Sequence, residues 1–174
     1  VSNYINDEKY PTSLTTLDTI SLNRMMRKMV DAGCEYAFME VSSHAIHQHR
    51  IHFLYFDGGV FTNLSQDHLD YHKNMLDYLN VKKSFFDNLP KDAFALTNID
   101  DKNGRVMLQN CAATHYTYSV KNLADYKGRI FEKHFDGTDI EINDRELTVQ
   151  FVGVFNVYNL LAVYGVADIL GIPT

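Results

Sequence analysis

The chain has 174 residues, 45% of them apolar and 13% aromatic, with a formal charge of −6. That is enough apolar material for one domain with a real core, and the lack of a basic stripe argues against a nucleic-acid partner. Cys34 and Cys111 show no metal spacing and no partner motif, which predicts free thiols in a reducing compartment. No signal peptide and no long apolar span stand out, so a cytoplasmic enzyme or binding domain with no membrane partner is expected.

Residues 1–17 are polar and turn-rich, with Pro11 and the pair Thr15-Thr16, and read as an extended lead-in segment. Leu22, Met25, Met26, Met29 and Val30 recur at helical spacing, and Gly33 supplies the stop. Two short apolar runs, residues 36–41 and 57–62, read as buried strands. A helix follows His72 with Met75, Tyr78, Leu79, Phe85 and Phe86 on one face and Pro90 beyond its end. Residues 93–97 read as a third strand, and residues 100–108 as a helix after it. From Thr114 the pattern changes. Residues 128–135, 138–142 and 146–151 form short strands punctuated by Asp136-Gly137 and Asn143-Asp144, which predicts an antiparallel patch over about 114–151. A last helix, about 157–170, carries Leu160, Val163, Ala167 and Leu170 inward and ends at Gly171, with Pro173 after it. The fold class predicted is α/β, with a mainly parallel sheet and a small antiparallel patch.

Each of the two apolar runs ends in polar, metal-competent residues, and in open α/β sheets ligands collect beyond the carboxyl ends of strands. The first leads into Glu40-Val41-Ser42-Ser43-His44 and on to Gln48 and Arg50; the second leads into Thr62-Asn63-Leu64-Ser65-Gln66-Asp67-His68-Leu69-Asp70-Tyr71-His72. Glu40 and His68 offer one oxygen and one nitrogen to a divalent ion that keeps waters and substrate oxygens as its other ligands. Taken singly, each also fits a structural role, Glu40 as a cap on the next turn and His68 as a hydrogen-bonded histidine. The spacing of His44, His47, His49 and His52 matches no zinc motif.

Lys82 falls on the apolar stripe of its helix, counted from Met75, Tyr78, Leu79, Phe85 and Phe86, whereas Lys83 points the other way. A lysine so placed must neutralise, snorkel or find a partner. Snorkelling is one reading; a phosphate contact, or conversion to a metal-binding carbamate, is the other. At the start of the last helix Asn156 fits an N-cap and Asn159 then sits at the third helical position, although two amides one turn apart can also read an adenine edge.

The whole set resembles the central domain of the Mur ligases, the ATP-dependent peptide synthetases that extend the cytoplasmic precursor of bacterial peptidoglycan. The resemblance covers nearly the whole chain and rests on Thr15-Thr16-Leu17-Asp18, on EVSSHxxxQxR over residues 40–50, on FTNLSxDHLDYH over 61–72, and on residues 155–159. It implies a P-loop-NTPase-like layered fold and a magnesium site made by Glu40, His68 and Lys82, the lysine carbamylated. It also implies that Thr15, Thr16, Ser42, Gln48 and Arg50 hold UDP-N-acetylmuramoyl-L-alanyl-D-glutamate, and that Asn156 and Asn159 lie near the ATP adenine. Arg50 suits its role physically, because a guanidinium fork takes a carboxylate or phosphate bidentately. The reaction implied is amide ligation through an acyl phosphate, joining a diamino acid, meso-diaminopimelate or L-lysine, to the dipeptide in a monomeric enzyme.

The chain also departs from the family. Leu17 stands where a proline is common, and no GxxGK[ST] phosphate loop occurs in the sequence. These departures predict an incomplete central domain over 1–174, lacking the first strand, the phosphate loop and the flanking domains, and inactive as an isolated chain. Other readings are a folylpolyglutamate synthetase of the same family, a histidine-dependent metallohydrolase, and a silent binding module.

Overall fold

The computed structural model describes residues 1–65 and 71–173, which divide into two compact units: residues 1–55 with 71–84, and residues 56–65 with 85–173. The helix Met75–Asp87 begins in one and ends in the other.

The first unit opens with a hairpin, β1 (Ser2–Ile5) paired antiparallel to β2 (Glu8–Pro11). Asn6 turns it with φ 51°, a conformation Asn tolerates. The lead-in is therefore a hairpin rather than a single extended segment. Its signal was the Asn6-Asp7 pair between Tyr4-Ile5 and Tyr10, masked by the polarity of the short strands. Helix α1 (Thr19–Asp31) follows, capped by the Asp18 carboxylate, which accepts from the amides of Ile20 and Ser21, and closed by Gly33 at φ 79°. Residues 36–41 are not a strand. They pair with no other strand, and Tyr36 and Phe38 stack on each other at 6.3 Å with 48% and 70% of their surface exposed. An apolar run becomes a strand only when a partner offers a ladder, and hydrophobicity does not supply one. The short helix α2 (Ser43–His47) and the first ten residues of α3 (Met75–Asp87) complete this unit.

The second unit is a six-stranded sheet in sequence order: β3 (Gly58–Phe61), β4 (Phe94–Asn98), β5 (Thr114–Ser119), β6 (Tyr126–Lys133), β7 (Thr138–Ile142) and β8 (Arg145–Val149). β3 through β6 run parallel; β6–β7 and β7–β8 are antiparallel. The α/β class with a mainly parallel sheet and an antiparallel patch is thus observed. The patch begins at β6 rather than at Thr114, because β5 still pairs parallel to β4. β4 is buried along nearly its whole length, as central parallel strands are, and β7 alternates strictly, with Thr138, Ile140 and Ile142 inward and Asp139 and Glu141 outward. The expected helix over 100–108 shrinks to one turn, α4 (Gly104–Met107). Its start is set by Asp101, whose carboxylate accepts from the Asn103 amide and so holds the preceding residues in a turn.

Helix α5 (Val154–Ile169) starts before Val157, because Gly153 at φ 105° makes the bend into it. Its buried residues are Val157, Leu161, Ala162 and Gly165, while Val163 is 65% exposed. The inward face is therefore rotated from the Leu160, Val163, Ala167, Leu170 stripe. A helix apolar nearly all round gives no stripe to choose by. Val157, Leu161 and Ala162 join Leu96, Tyr118, Tyr126, Ile140 and Ile142 in the core of this unit. Gly165 lets α5 approach closely, since a Cβ there would lie 3.0 Å from both Leu96 and Tyr126 side chains.

Candidate functional site

The centre of the site in the first unit is Thr16, 2% exposed. Its Oγ1 donates to the Glu40 carbonyl at 2.8 Å and accepts from the Ser42 amide at 3.1 Å, so one hydroxyl pins both sides of Val41. This tie replaces the strand expected there as the device that positions Glu40. The Glu40 side chain itself is exposed. Ser42 Oγ accepts from the Ala45 amide at 3.2 Å and caps α2, so the cap expected of Glu40 is made by Ser42. Arg50 returns to the same point: its Nη1 donates to the Thr16 carbonyl at 2.9 Å, and Nε donates to Gln48 Oε1 at 2.9 Å. Thr16, Glu40, Ser42, Gln48 and Arg50 are thereby joined in one hydrogen-bonded group, with Thr15 exposed beside it.

Lys82 is half-buried, with Nζ 5.5 Å from the centre of the Tyr78 ring. Burial pushes its ammonium below the usual lysine range, and the Glu40 carboxylate pulls it partly back. The lysine and the carboxylate therefore share one electrostatic environment. Contrary to the stripe argument, Lys83 is the more buried of the two, at 9% exposure. No residue from 81 to 87 is fully exposed, so this helix is covered on several sides and a single stripe does not tell the two lysines apart. His68 lies outside the described residues. The described residues that precede it are held from β4 and the turn after it: Asn98 Nδ2 donates to the Thr62 carbonyl at 2.9 Å, and the Leu64 amide donates to Asp101 Oδ2 at 2.9 Å.

Two residues that spacing did not single out also bear on the site. Tyr71 Oη accepts from Gln48 Nε2 at 3.1 Å and shares a 2.8 Å hydrogen bond with His47 Nδ1. His72, 3% exposed, is bonded through Nε2 to Ser43 Oγ at 2.8 Å, faces Asp77 through Nδ1 at 3.5 Å and stacks on Tyr78 at 5.0 Å. The Ser43-His72-Asp77 order has the look of a hydrolase triad, but Ser43 is 1% exposed and beyond reach of a substrate. It is a tie between α2 and α3. The only hint of either residue in the sequence is the Tyr71-His72 pair closing the FTNLSxDHLDYH block.

In the second unit Asn156 does not cap α5. It sits at the third helical position, where Nδ2 donates to the Val152 carbonyl at 2.9 Å, and Asn159 is exposed one turn later. The Tyr158 hydroxyl between them donates to Asp100 Oδ2 at 2.8 Å. Asp100, just past β4, also accepts from Ser119 Oγ, Asn122 Nδ2 and the amides of Val120 and Lys121. Burial raises its carboxyl, but the hydrogen bonds from Ser119, Lys121, Tyr158 and Val120 outweigh that and leave it far below the usual carboxylate range. An open cavity of about 480 Å³, lined by Tyr4, Asn6, Met29, Cys34, Tyr36 and Phe38 among others, contains none of the predicted site residues.

Comparison with known proteins places this geometry. The profile of the Mur ligase middle domain matches residues 1–167. Among curated proteins, the UDP-N-acetylmuramoyl-L-alanyl-D-glutamate--2,6-diaminopimelate ligase of Parabacteroides distasonis is 63% identical over 171 residues, covering 98% of this chain and 35% of that protein. The enzyme of the same name from Caldanaerobacter subterraneus subsp. tengcongensis is 38% identical over 177 residues, covering 99% of this chain and 36% of its own. A solved structure of a UDP-N-acetylmuramoyl-L-alanyl-D-glutamate--2,6-diaminopimelate ligase superposes with a TM-score of 0.80 at 27% identity, over 97% of this chain and 36% of that one. The MurF ligase of Thermotoga maritima, solved in complex with ADP, shares the fold alone, with a TM-score of 0.61 at 16% identity over 84% of this chain and 37% of that one. The chain thus spans about a third of the length of the curated relatives it matches. With the profile matching residues 1–167 and a relative 63% identical over 98% of the chain, the chain belongs to the Mur ligase family, as a middle domain.

Proposed function

We propose that this chain is the central ATP-binding domain of a ligase that joins meso-diaminopimelate to UDP-N-acetylmuramoyl-L-alanyl-D-glutamate, a cytoplasmic step of peptidoglycan synthesis. Support for diaminopimelate over L-lysine comes from the relatives at 63% and 58% identity, which are named for it. The observation that carries the reading is the Thr16 hydroxyl, which binds two separate signature blocks into one group with Arg50 and Gln48.

On this reading Thr15, Thr16, Ser42, Gln48 and Arg50 form the seat of the muramoyl dipeptide, the buried Thr16 from beneath it, by fixing the backbone at Glu40 and Ser42. The Arg50 guanidinium is oriented in advance by Gln48 and the Thr16 carbonyl, so less freedom is lost when it takes up an anionic group of the substrate. The donors available fit magnesium: the exposed Glu40 carboxylate is a hard oxygen ligand, and burial of Lys82 favours the neutral amine that reacts with carbon dioxide to form a carbamate. Magnesium held by Glu40, His68 and the Lys82 carbamate would offset the charge of the transferring phosphoryl group. The γ-carboxylate of the D-glutamyl residue attacks the γ-phosphorus of ATP and ADP leaves. The amine of diaminopimelate then attacks the acyl carbon and inorganic phosphate leaves. Asn156 and Asn159 present their amides to the adenine, with Asp100 fixing α5 between them through Tyr158. The enzyme works as a monomer and binds no nucleic acid. The test is mass spectrometry of the product formed by the longer protein from ATP, the UDP-muramoyl dipeptide and either diamino acid. Diaminopimelate incorporation that needs ATP and magnesium is expected, and ATP consumption without a tripeptide product would overturn the reading.

A further inference from the structure

Among the described residues the proposed ligase chemistry leaves unused one cluster of ligand-competent side chains, on the outer face of the antiparallel patch. Glu132, His134 and Asp139 each direct one ligand atom into a group whose members lie within 4.8 Å of one another. Two of them are brought together by a specific backbone device. Up to Ile130 the β6–β7 ladder is regular, with Ile130 opposite Ile140, so continued pairing would set Phe131 against Asp139. The register instead shifts between Ile130 and Glu132, and Glu132 faces Asp139. A bulge re-aims one side chain at the cost of a ladder position, and here it exchanges an aromatic ring for a carboxylate. His134 lies two residues on and bonds through Nε2 to Asp139 Oδ2 at 2.8 Å, while Thr148 Oγ1 on β8 holds the other oxygen, Oδ1, at 2.8 Å. Asp139 is thus oriented from β8 and from the turn between β6 and β7.

Two carboxylates directly opposite each other are destabilising, and one imidazolium carries a single compensating charge. A doubly charged ion offsets both. We propose that the β6–β7 hairpin carries a divalent-cation site in which Glu132 and Asp139 supply carboxylate oxygens and His134 supplies Nε2. The ligand set, one imidazole and two carboxylates, suits a borderline transition ion such as Zn²⁺ or Co²⁺. With ligand bonds of about 2.0–2.2 Å, the edges of a tetrahedron are about 3.3–3.6 Å, so the His134–Asp139 pair opens from 2.8 Å by about 0.5–0.8 Å and the Glu132 carboxylate closes in. Three protein ligands leave the fourth position to water or an external anion. Because the ligands come from β6, β7 and the turn between them, an ion there cross-links the hairpin.

The test uses the 174-residue chain. Zn²⁺ titrated by calorimetry in the presence of excess Mg²⁺ gives the affinity, and Co²⁺, followed by paramagnetic broadening of amide resonances, gives the place. Saturable Zn²⁺ binding is expected, with Co²⁺ broadening centred on residues 132–139 and Thr148. His134→Ala should lower Zn²⁺ affinity by about tenfold or more and Glu132→Gln should weaken it as well, whereas His49→Ala with His52→Ala should leave the hairpin site unchanged. Should His134→Ala fail to fold, the broadening map of the unmodified chain and Glu132→Gln decide the matter. Broadening centred elsewhere, Zn²⁺ affinity unaffected by His134→Ala, or no saturable binding, which leaves His134 and Asp139 as a hydrogen-bonded ion pair only, would each overturn the proposal.

Discussion

Asp100→Asn is the substitution whose consequence follows most directly from the geometry. The carboxylate accepts from Ser119 Oγ and Asn122 Nδ2 on one oxygen, and from the Val120 amide, the Lys121 amide and Tyr158 Oη on the other. An asparagine of the same shape keeps one acceptor oxygen and turns the other into a donor, so in its better orientation two of the incoming donors meet an NH₂ group. Hydrogen bonds to a charged group contribute about 1.5–3 kcal/mol each, and this site is partly open to water, so the loss should be about 3 kcal/mol. With an urea m-value of about 2 kcal/mol/M the midpoint falls by roughly 1.5 M, and exchange of the Val120 and Lys121 amides should accelerate by about a hundredfold. The sign of the pH dependence is fixed by the lowered carboxyl. Its contribution is fully present above the unfolded carboxyl value of about 3.9 and is lost as pH falls toward the folded value, so the gap between the wild-type chain and the variant should narrow in acid. Urea melts at neutral and acid pH, with amide exchange read at those two residues, test this. Midpoints that coincide at neutral pH, or a gap that stays constant into acid, would refute the reasoning.

The other substitutions address the site and the core. In the longer ligase, Arg50→Lys keeps the charge but loses the fork held by Gln48 and the Thr16 carbonyl; KM for the muramoyl dipeptide should rise by about tenfold, and an unchanged KM would count against the assignment. Because burial holds the Lys82 ammonium low, ¹³C-bicarbonate should produce a carbamate resonance at a lower pH than exposed lysines need, and Lys82→Arg should abolish it. Gly104→Ala would set a Cβ 1.9 Å from the Asn98 carbonyl oxygen, so α4 must shift; a loss of about 2–3 kcal/mol, read as a Tm lower by about 5–10 °C, is expected, and an unchanged Tm would show that the turn is loose.

Those parts of the fold that depend on local chemistry were legible in the sequence. Gly33, at φ 79°, stops α1, and Asn143-Asp144, at φ 47° and 67°, turn the β7–β8 hairpin. What failed depended on partners. Residues 36–41 have strand composition but no ladder; α5 is apolar nearly all round, so its pattern did not choose a face; and on α3 general burial made Lys83 rather than Lys82 the deeper lysine. The proposed site residues rest on motif, not on physics: nothing in the spacing of Thr16 and Glu40 announces that one hydroxyl binds them across 24 residues. Tyr71 and Asp100 went unread for the same reason, since each finds its partners only when distant segments meet, and the Glu132-His134-Asp139 cluster depends on a bulge that the spacing does not announce.

Trapping the activated intermediate tests the central claim most directly. The longer protein, given ATP, magnesium and the UDP-muramoyl dipeptide without a diamino acid, is treated with hydroxylamine, whose nitrogen attacks the acyl carbon as phosphate leaves. Mass spectrometry should show a hydroxamate of the dipeptide in step with ADP release, lost in Lys82→Arg and in Glu40→Gln. Hydroxamate formation undiminished in both variants would contradict the role given to this site.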